Sequence, residues 1–553
     1  MIAGLLYQDK DWKHVKRYED DNTIIDDLNL KFLFRTCAQT VVWKKGNVEK
    51  VLPPDPYIEQ TMRQVMMVPL RTAEEVTYRQ AVVQDFMNNP EIALSLYDIA
   101  TKLKTSWELL GRSEKTQKET DSAGEMITRV RTIHLLLNTL CVVKDLLEAN
   151  KAKFTSLGMQ KLMLRIKEEL SEEKESRIRK VIDDLSFFVL EEEREAKMKS
   201  GRVCVPQIVL GCRIGEGLRF DSYQLEDIQS LDKKYHKPGG FLSKMDDYKN
   251  KLVPDAIQLS TNPKFLEQGA YLERMMASYL CEGLAGFVAE IGSFFDQLKM
   301  QSAFMVGMYN LEEHMRRYEL HMSFPKVGRK QCFRFEELKE LIMCLEQHRI
   351  PIGNTCEILN KNMLVVTGAN QGGKSTFLRS LGIAQIMFQA GMPVLADSYE
   401  APLYPGMFTH FTRREDSEMN SGRLDEELKR MSQIIDFVRA NEAEAPGTTL
   451  VLLNESFATT TEKEGSVISY DILQAMTEMG VNVATVTHLL SFAKRLYEEK
   501  EQEKIDKGIE ETNVVFLSAE RLDNGERTYK MIPCVPQLTS FGLDLYDQMI
   551  HGR

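Results

Sequence analysis

None of the nine cysteines forms a Cys-x-x-Cys pair, and no histidines stand at zinc spacing beside them. The sequence therefore implies no metal cluster, and the cysteines read as reduced thiols. Long apolar runs are also missing. Nothing approaches the roughly 18 residues that a membrane span requires, and the opening MIAGLLYQDKDWKHVKRYEDD turns charged too early for a secretory signal. A cytoplasmic protein without a membrane partner is expected. Positive charge is not in excess either: 71 Lys+Arg face 82 Asp+Glu, a formal net charge of −11. That excludes a surface coated in positive charge, while a local basic patch remains compatible with an acidic molecule.

What is present is length and helical periodicity. A chain of 553 residues, 43% hydrophobic and 28% charged, suits two or three packed domains. Residues 1–55 mix short apolar runs with turn residues, ending in the LPPDP punctuation, and read as a small N-terminal segment or partial domain. From Tyr57 the pattern turns helical. Ile58, Met62, Val65 and Met66 share one face, as do Met126, Val130, Ile133, Leu137, Leu140 and Leu147. Between Pro263 and Pro325, Leu280, Leu284, Phe287, Ile291, Phe294, Leu298, Met305, Met308 and Met315 keep a 3-4 register with no intervening proline. About 50 helical residues at 1.5 Å each predict a rod on the order of 75 Å. A helical domain over 56–335 follows. Within it, 151–262 is a clamp-like or connecting region with charged helical runs and two short strands around Gly211–Gly217. Its recurring basic residues, among them Arg177, Arg179, Lys180, Lys197 and Lys199, suit a solvated face better than a DNA contact.

The last third, 336–553, changes character. MLVVT (363–367), TLVLLN (449–454), VNVATVT (481–487) and NVVFLSA (513–519) are short β-branched runs separated by helical stretches. That is how a mostly parallel sheet in an α/β domain reads. Asn524-Gly525 then predicts a hairpin at the sheet edge.

After the first of these strands comes TGANQGGKST, which fits G-x-x-x-x-G-K-[ST] from Gly368 to Ser375. Gly368, Ala369, Asn370, Gln371, Gly372, Gly373, Lys374, Ser375 and Thr376 form the candidate nucleotide-binding segment. The glycines let backbone N–H groups close around phosphate oxygens, Lys374 reaches the terminal phosphates, and the Ser375 hydroxyl can ligate Mg²⁺. The second apolar strand ends in Asn454-Glu455, where such enzymes place a metal-side carboxylate and then one that orients water. Glu455 is the candidate catalytic base, and Asn454 would reach the metal through water. His488, at the end of the third strand, is placed to sense the γ-phosphate.

These motifs resemble the MutS family of mismatch-repair ATPases. GANQGGKSTFLR is similar to that family's Gly-Pro-Asn-Met-Gly-Gly-Lys-Ser-Thr loop, and Phe411–Arg413, Ser421–Leu428, LVLLNES and ATVTH follow in the family's order. DLNLKFLF and MVPLRTAEEVTYRQAVVQDF resemble the start of its lever core. The resemblance implies a P-loop, ABC-like ATPase domain that binds ATP and Mg²⁺. It further implies levers that carry a DNA-encircling region, and a homodimer with two composite sites. Ser421 would then reach the γ-phosphate in the opposite subunit, with Glu426 or Glu427 near the same signature. The implied partners are duplex or branched DNA and repair or recombination proteins.

The sequence departs from the family pattern in several places. The leading segment is short for a mismatch-recognition domain and has no Phe-x-Glu wedge in the first hundred residues. No nuclease-like domain is expected after Arg553, and any strand cutting is expected to fall to a partner. Asn454 stands where the family usually has aspartate, which predicts slow hydrolysis. SFATTT follows Glu455 in place of a glycine-containing run. Two other readings remain open. A coiled-coil chromosome-maintenance ATPase is disfavoured because Lys374 and Glu455 lie only 81 positions apart and no LSGGQ-like signature occurs. A dimeric scaffold that binds ATP and recruits proteins with little turnover is made credible by Asn454.

Overall fold

The computed structural model describes residues 3–8, 16–115, 122–173, 175–176, 179–180, 202–214, 220–234, 263–369, 371–412, 423–441, 447–522 and 526–536. Among them the strands, in chain order, are β1 (Val41–Lys44), β2 (Asn47–Val51), β3 (Arg202–Ile214), β4 (Phe220–Lys234), β5 (Lys326–Val327), β6 (Cys332–Leu338) and β7 (Asn354–Leu359). They continue as β8 (Met363–Thr367), β9 (Ser398–Ala401), β10 (Gly406–Phe411), β11 (Thr449–Asn454), β12 (Asn482–Val486), β13 (Val514–Arg521) and β14 (Arg527–Pro533). The chain forms two compact units. One comprises residues 1–3, 94–154 and 159–299, the other 4–93, 155–158 and 300–553. This division by contacts differs from a sequence-based division at 55 and 335.

In the first unit, the helix Ser122–Ala149 buries Val130, Ile133, Leu137, Leu140 and Leu147, the face its spacing predicts. Here β3 and β4 pair antiparallel from Arg202↔Lys234 to Ile214↔Phe220. At 13 and 15 residues they are longer than the two short strands expected, so this unit is not purely helical. Arg179 is held by the Glu175 carboxylate at 2.9 Å, and Arg177, Lys197 and Lys199 lie outside the described residues.

The helix Pro263–Arg316 runs for 54 residues and contributes to both units. In the first, the indole of Trp107 packs so closely on Gly292 that an added Cβ would meet it at 2.3 Å. In the second, Phe304, Met305, Met308 and Met315 are buried.

The second unit is built around a six-stranded sheet in the order β10-β11-β12-β8-β13-β14. All pairings are parallel until β14, which returns antiparallel to β13. The expected parallel sheet and edge hairpin are therefore present, with Asn524-Gly525 outside the described residues. Two features were not anticipated: the edge strand β10 and a second, four-stranded sheet in the order β5-β9-β6-β7. Val365, Val451, Leu453 and Val483 of the large sheet pack with Met431, Ile434, Phe457, Leu473 and Phe492 of the covering segments.

N-terminal residues also belong to this unit. Asp55 caps the helix Pro56–Met66 by accepting from Tyr57 N at 2.8 Å, and a Thr72/Glu75 capping box starts the helix Ala73–Asn88. Asp27 reaches the sheet edge, accepting from Thr409 Oγ1 at 2.8 Å. Arg79 is fully buried over the Tyr7 ring. It donates to Leu6 O at 3.0 Å and to Ala390 O at 3.2 Å. Ala390 is the C-cap of the helix Lys374–Gln389. Among the described residues no helix is long and apolar enough to cross a membrane.

Candidate functional site

The site lies at the C-terminal ends of the parallel strands, where open α/β sheets leave a crevice for ligands. The chain leaves β8 at Thr367 and turns through Gly368, at φ 110°, and Gly373, at φ 87°, into the helix Lys374–Gln389. At Gly368 a Cβ would stand 2.8 Å from both Ala519 N and Ser518 Oγ; at Gly372 it would stand 2.7 Å from Ala519 Cβ. The two glycines thus let the loop press against β13. Gly373 is the N-cap and supplies no side-chain cap. The first-turn N–H groups are therefore available to an anion, with the positive end of the helix dipole behind them.

A cavity of about 760 Å³ opens over this turn. Gln371, Gly372, Gly373, Lys374, Ser375 and Thr376 line one side, and Glu455 and His488 border it from the ends of β11 and β12. These eight sequence candidates are thus brought to one cavity. Gly368 and Ala369 are not among the residues that line it; Lys374 Nζ donates to their carbonyls at 2.8 and 3.0 Å. Lys374 is buried. Burial lowers its pKa, and the negative charge of Glu455 acts in the opposite direction. Asn370 and Ser421 lie outside the described residues.

Asn454 does not line the cavity. It closes β11, and its carbonyl accepts from Thr412 N and Thr412 Oγ1, both at 3.3 Å. Its side-chain Oδ1 is buried with no hydrogen-bond partner among the described residues. A buried amide oxygen left without a donor is an unusual liability, and a metal-bound water is a donor that would satisfy it. The Ser375 hydroxyl and the Glu455 carboxylate line the cavity itself, and oxygen donors of this kind suit Mg²⁺. Among the described residues no group of three His, Cys, Asp or Glu side chains could hold a metal ion.

Sequence reasoning missed the opposite wall. Arg349, Ile350, Pro351 and Ile352 line it with Leu338, Met343, Asn354 and Tyr529. Ile350 and Ile352 are 56% and 49% exposed, an apolar pair in a loop that could have signalled a surface for a flat base. Tyr529 stands at the P-loop, 3.4 Å from where a Gly373 Cβ would be. A phosphate-cradling turn, a carboxylate and an apolar wall in one cavity suit a nucleoside triphosphate.

The family described as MutS2 N-terminal domain matches residues 71–318, and MutS domain V matches residues 364–532. Among curated proteins, Endonuclease MutS2 of Aquifex aeolicus (strain VF5) is 29% identical over 167 residues, which are 30% of this chain and 21% of that protein. DNA mismatch repair protein MutS of Petrotoga mobilis (strain DSM 10674 / SJ95) is 26% identical over 192 residues, 34% of this chain and 22% of that protein. MutS protein homolog 4 of Mus musculus is 30% identical over 141 residues, 25% of this chain and 14% of that protein. The matched stretches thus span less than a quarter of each relative's own length.

Proposed function

The chain belongs to the MutS family, and from that premise we propose an ATPase that couples Mg-ATP binding and hydrolysis to the holding of duplex or branched DNA. The observation that carries the reading is the shared cavity: Lys374, Ser375, Glu455 and His488 converge on it from three strand ends. The match to MutS domain V supports the ATPase chemistry, and the names of the relatives support a DNA partner.

In the proposed mechanism the first-turn N–H groups and Lys374 receive the β- and γ-phosphates, and the apolar wall receives the base. Bound Mg²⁺, held by Ser375 and through water by Asn454 and Glu455, would neutralise phosphate charge. Glu455 orients a water and accepts its proton as the oxygen attacks the γ-phosphorus. The bond to the β–γ bridging oxygen breaks, and ADP and phosphate leave. His488 contacts the γ-phosphate. Two chains join with Ser421 completing the partner's site, so ATP favours the joined form as far as it binds that form better. In this reading 1–55 is an N-terminal segment, 56–335 a lever region and 336–553 the ATPase and dimerisation domain. DNA is held mainly through phosphates, so affinity falls steeply with salt.

The test is steady-state Mg-ATP hydrolysis, alone and with homoduplex, mismatched and four-way-branched DNA, with Glu455→Gln as the blank. Turnover that DNA alters and the variant abolishes is the expected result. ATP binding without turnover on any DNA would sink the coupled ATPase. It would favour a second reading, a dimeric scaffold that recruits repair or recombination proteins, for which the neutral Asn454 speaks.

A further inference from the structure

The turn that follows β11 carries two non-glycine residues in the left-handed region. Glu455 has φ 57° and Phe457 φ 62°. Bulky side chains rarely adopt this conformation and persist there only where the surroundings over-determine it. Three side chains from outside the turn do so. Thr412, just past β10, donates from Oγ1 to Glu455 O at 3.1 Å and to Asn454 O at 3.3 Å. His410 Nδ1 lies 2.7 Å from Ser456 Oγ. Glu427, on the helix Arg423–Asn441, accepts from Phe457 N at 2.8 Å. Glu427, His410 and Ser456 are all more than nine-tenths buried. Among the described residues Glu427 has no cationic partner, which makes a buried carboxylate expensive to keep, and a single backbone N–H is its one hydrogen-bond partner there. That placement makes sense if the N–H it fixes matters. Phe457 anchors the far side through its ring, which is 1% exposed in the core. Between these fixed points only the Glu455 side chain is left to face the cavity.

We propose that Glu427 is a positioning residue of the ATPase site: by accepting from the Phe457 N–H it holds the left-handed turn that aims Glu455, with Thr412 as its counterpart on the opposite side of the turn. This rests on the assignment of Glu455 as the base. Glu427 touches no nucleotide in this scheme; it acts through the backbone.

The acceptor, not the charge, is the working part, which makes conservative variants informative. Glu427→Gln keeps an acceptor and should hold kcat within about twofold, whereas Glu427→Leu should lower kcat at least tenfold with the Kd for ATP unchanged. Thr412→Ser and Thr412→Val should split the same way, so the second pair decides if Glu427→Leu fails to fold. Turnover is measured per folded molecule, by active-site titration with labelled ATP. A merely structural role predicts lower Tm in the Leu and Val variants with kcat unchanged, and that outcome would overturn the proposal while Glu455→Gln still abolishes turnover. If Glu455→Gln leaves turnover intact, the assignment of the base fails first and the positioning role with it.

Discussion

Lys374 Nζ stands 2.8 Å from the carbonyl oxygen of Gly368, six residues back along its own loop. The ammonium donates to two carbonyls of its own loop, those of Gly368 and Ala369. On the proposed reading, nucleotide binding exchanges these contacts for charge-assisted bonds to phosphate oxygens, which are stronger. Lys374→Met should therefore weaken ATP binding about ten- to hundredfold, in line with the roughly 1.5–3 kcal/mol of a hydrogen bond to a charged group. Titration with a fluorescent nucleotide measures it; unchanged affinity would remove Lys374 from the site.

Asn454→Asp should act on stability and turnover together. The Oδ1 position is buried and unpartnered, so a carboxylate there is disfavoured until a cation arrives. The variant should melt lower than the parent in EDTA, regain stability in Mg-ATP, and turn over about tenfold faster. Thermal scans with and without Mg-ATP, followed by steady-state kinetics, decide it. A melting temperature indifferent to the metal would detach Asn454 from metal binding.

Gly368→Ala should damage the loop without touching its chemistry. The residue has φ 110° and a Cβ would meet Ala519 N at 2.8 Å, so both conformation and space oppose it. A loss of about 1–3 kcal/mol is expected from the strained conformation, read by urea unfolding, together with weaker nucleotide binding. Wild-type stability would mean that the loop can lift from β13.

His314 makes stability depend on pH. It is 3% exposed with Nε2 3.1 Å from Gln39 O. Burial holds its pKa down at about 4, and the positive charge of Arg317 acts the same way while the Gln39 hydrogen bond opposes. Buried Glu313 is the adjacent acid, paired with Arg316 at 3.6 Å. An unfolded histidine takes its proton near pH 6.5, so between there and about 4 the unfolded chain binds the extra proton. Stability should be full above about 6.5 and fall as pH drops through this window, by up to about 1.4 kcal/mol per pH unit. His314→Asn should flatten the fall in urea midpoint between pH 7 and 5. An identical slope in the variant would contradict the assignment.

The legible parts of the fold were those whose pattern is local. Met363–Thr367, Thr449–Asn454 and Asn482–Val486 are apolar runs buried on both faces, and the structure makes each a strand. By contrast, β10 reads GMFTHF, and its Thr409 is buried through Asp27, 382 positions away, a partner no window can contain. The four-stranded sheet escaped because β5 has two residues and β6 is interrupted by a register shift. At the site, spacing located Lys374, Ser375 and Glu455. It could not show that Asn454 keeps an unpartnered oxygen or that Glu427 serves Phe457, since both facts depend on how distant segments fold back.

The buried guanidinium of Arg79 ties the carbonyl of Ala390 to that of Leu6. It therefore fastens the C-terminal end of the helix Lys374–Gln389, about 24 Å from the turn at Gly373 at 1.5 Å per residue, and sliding that helix along its axis would strand a desolvated cation.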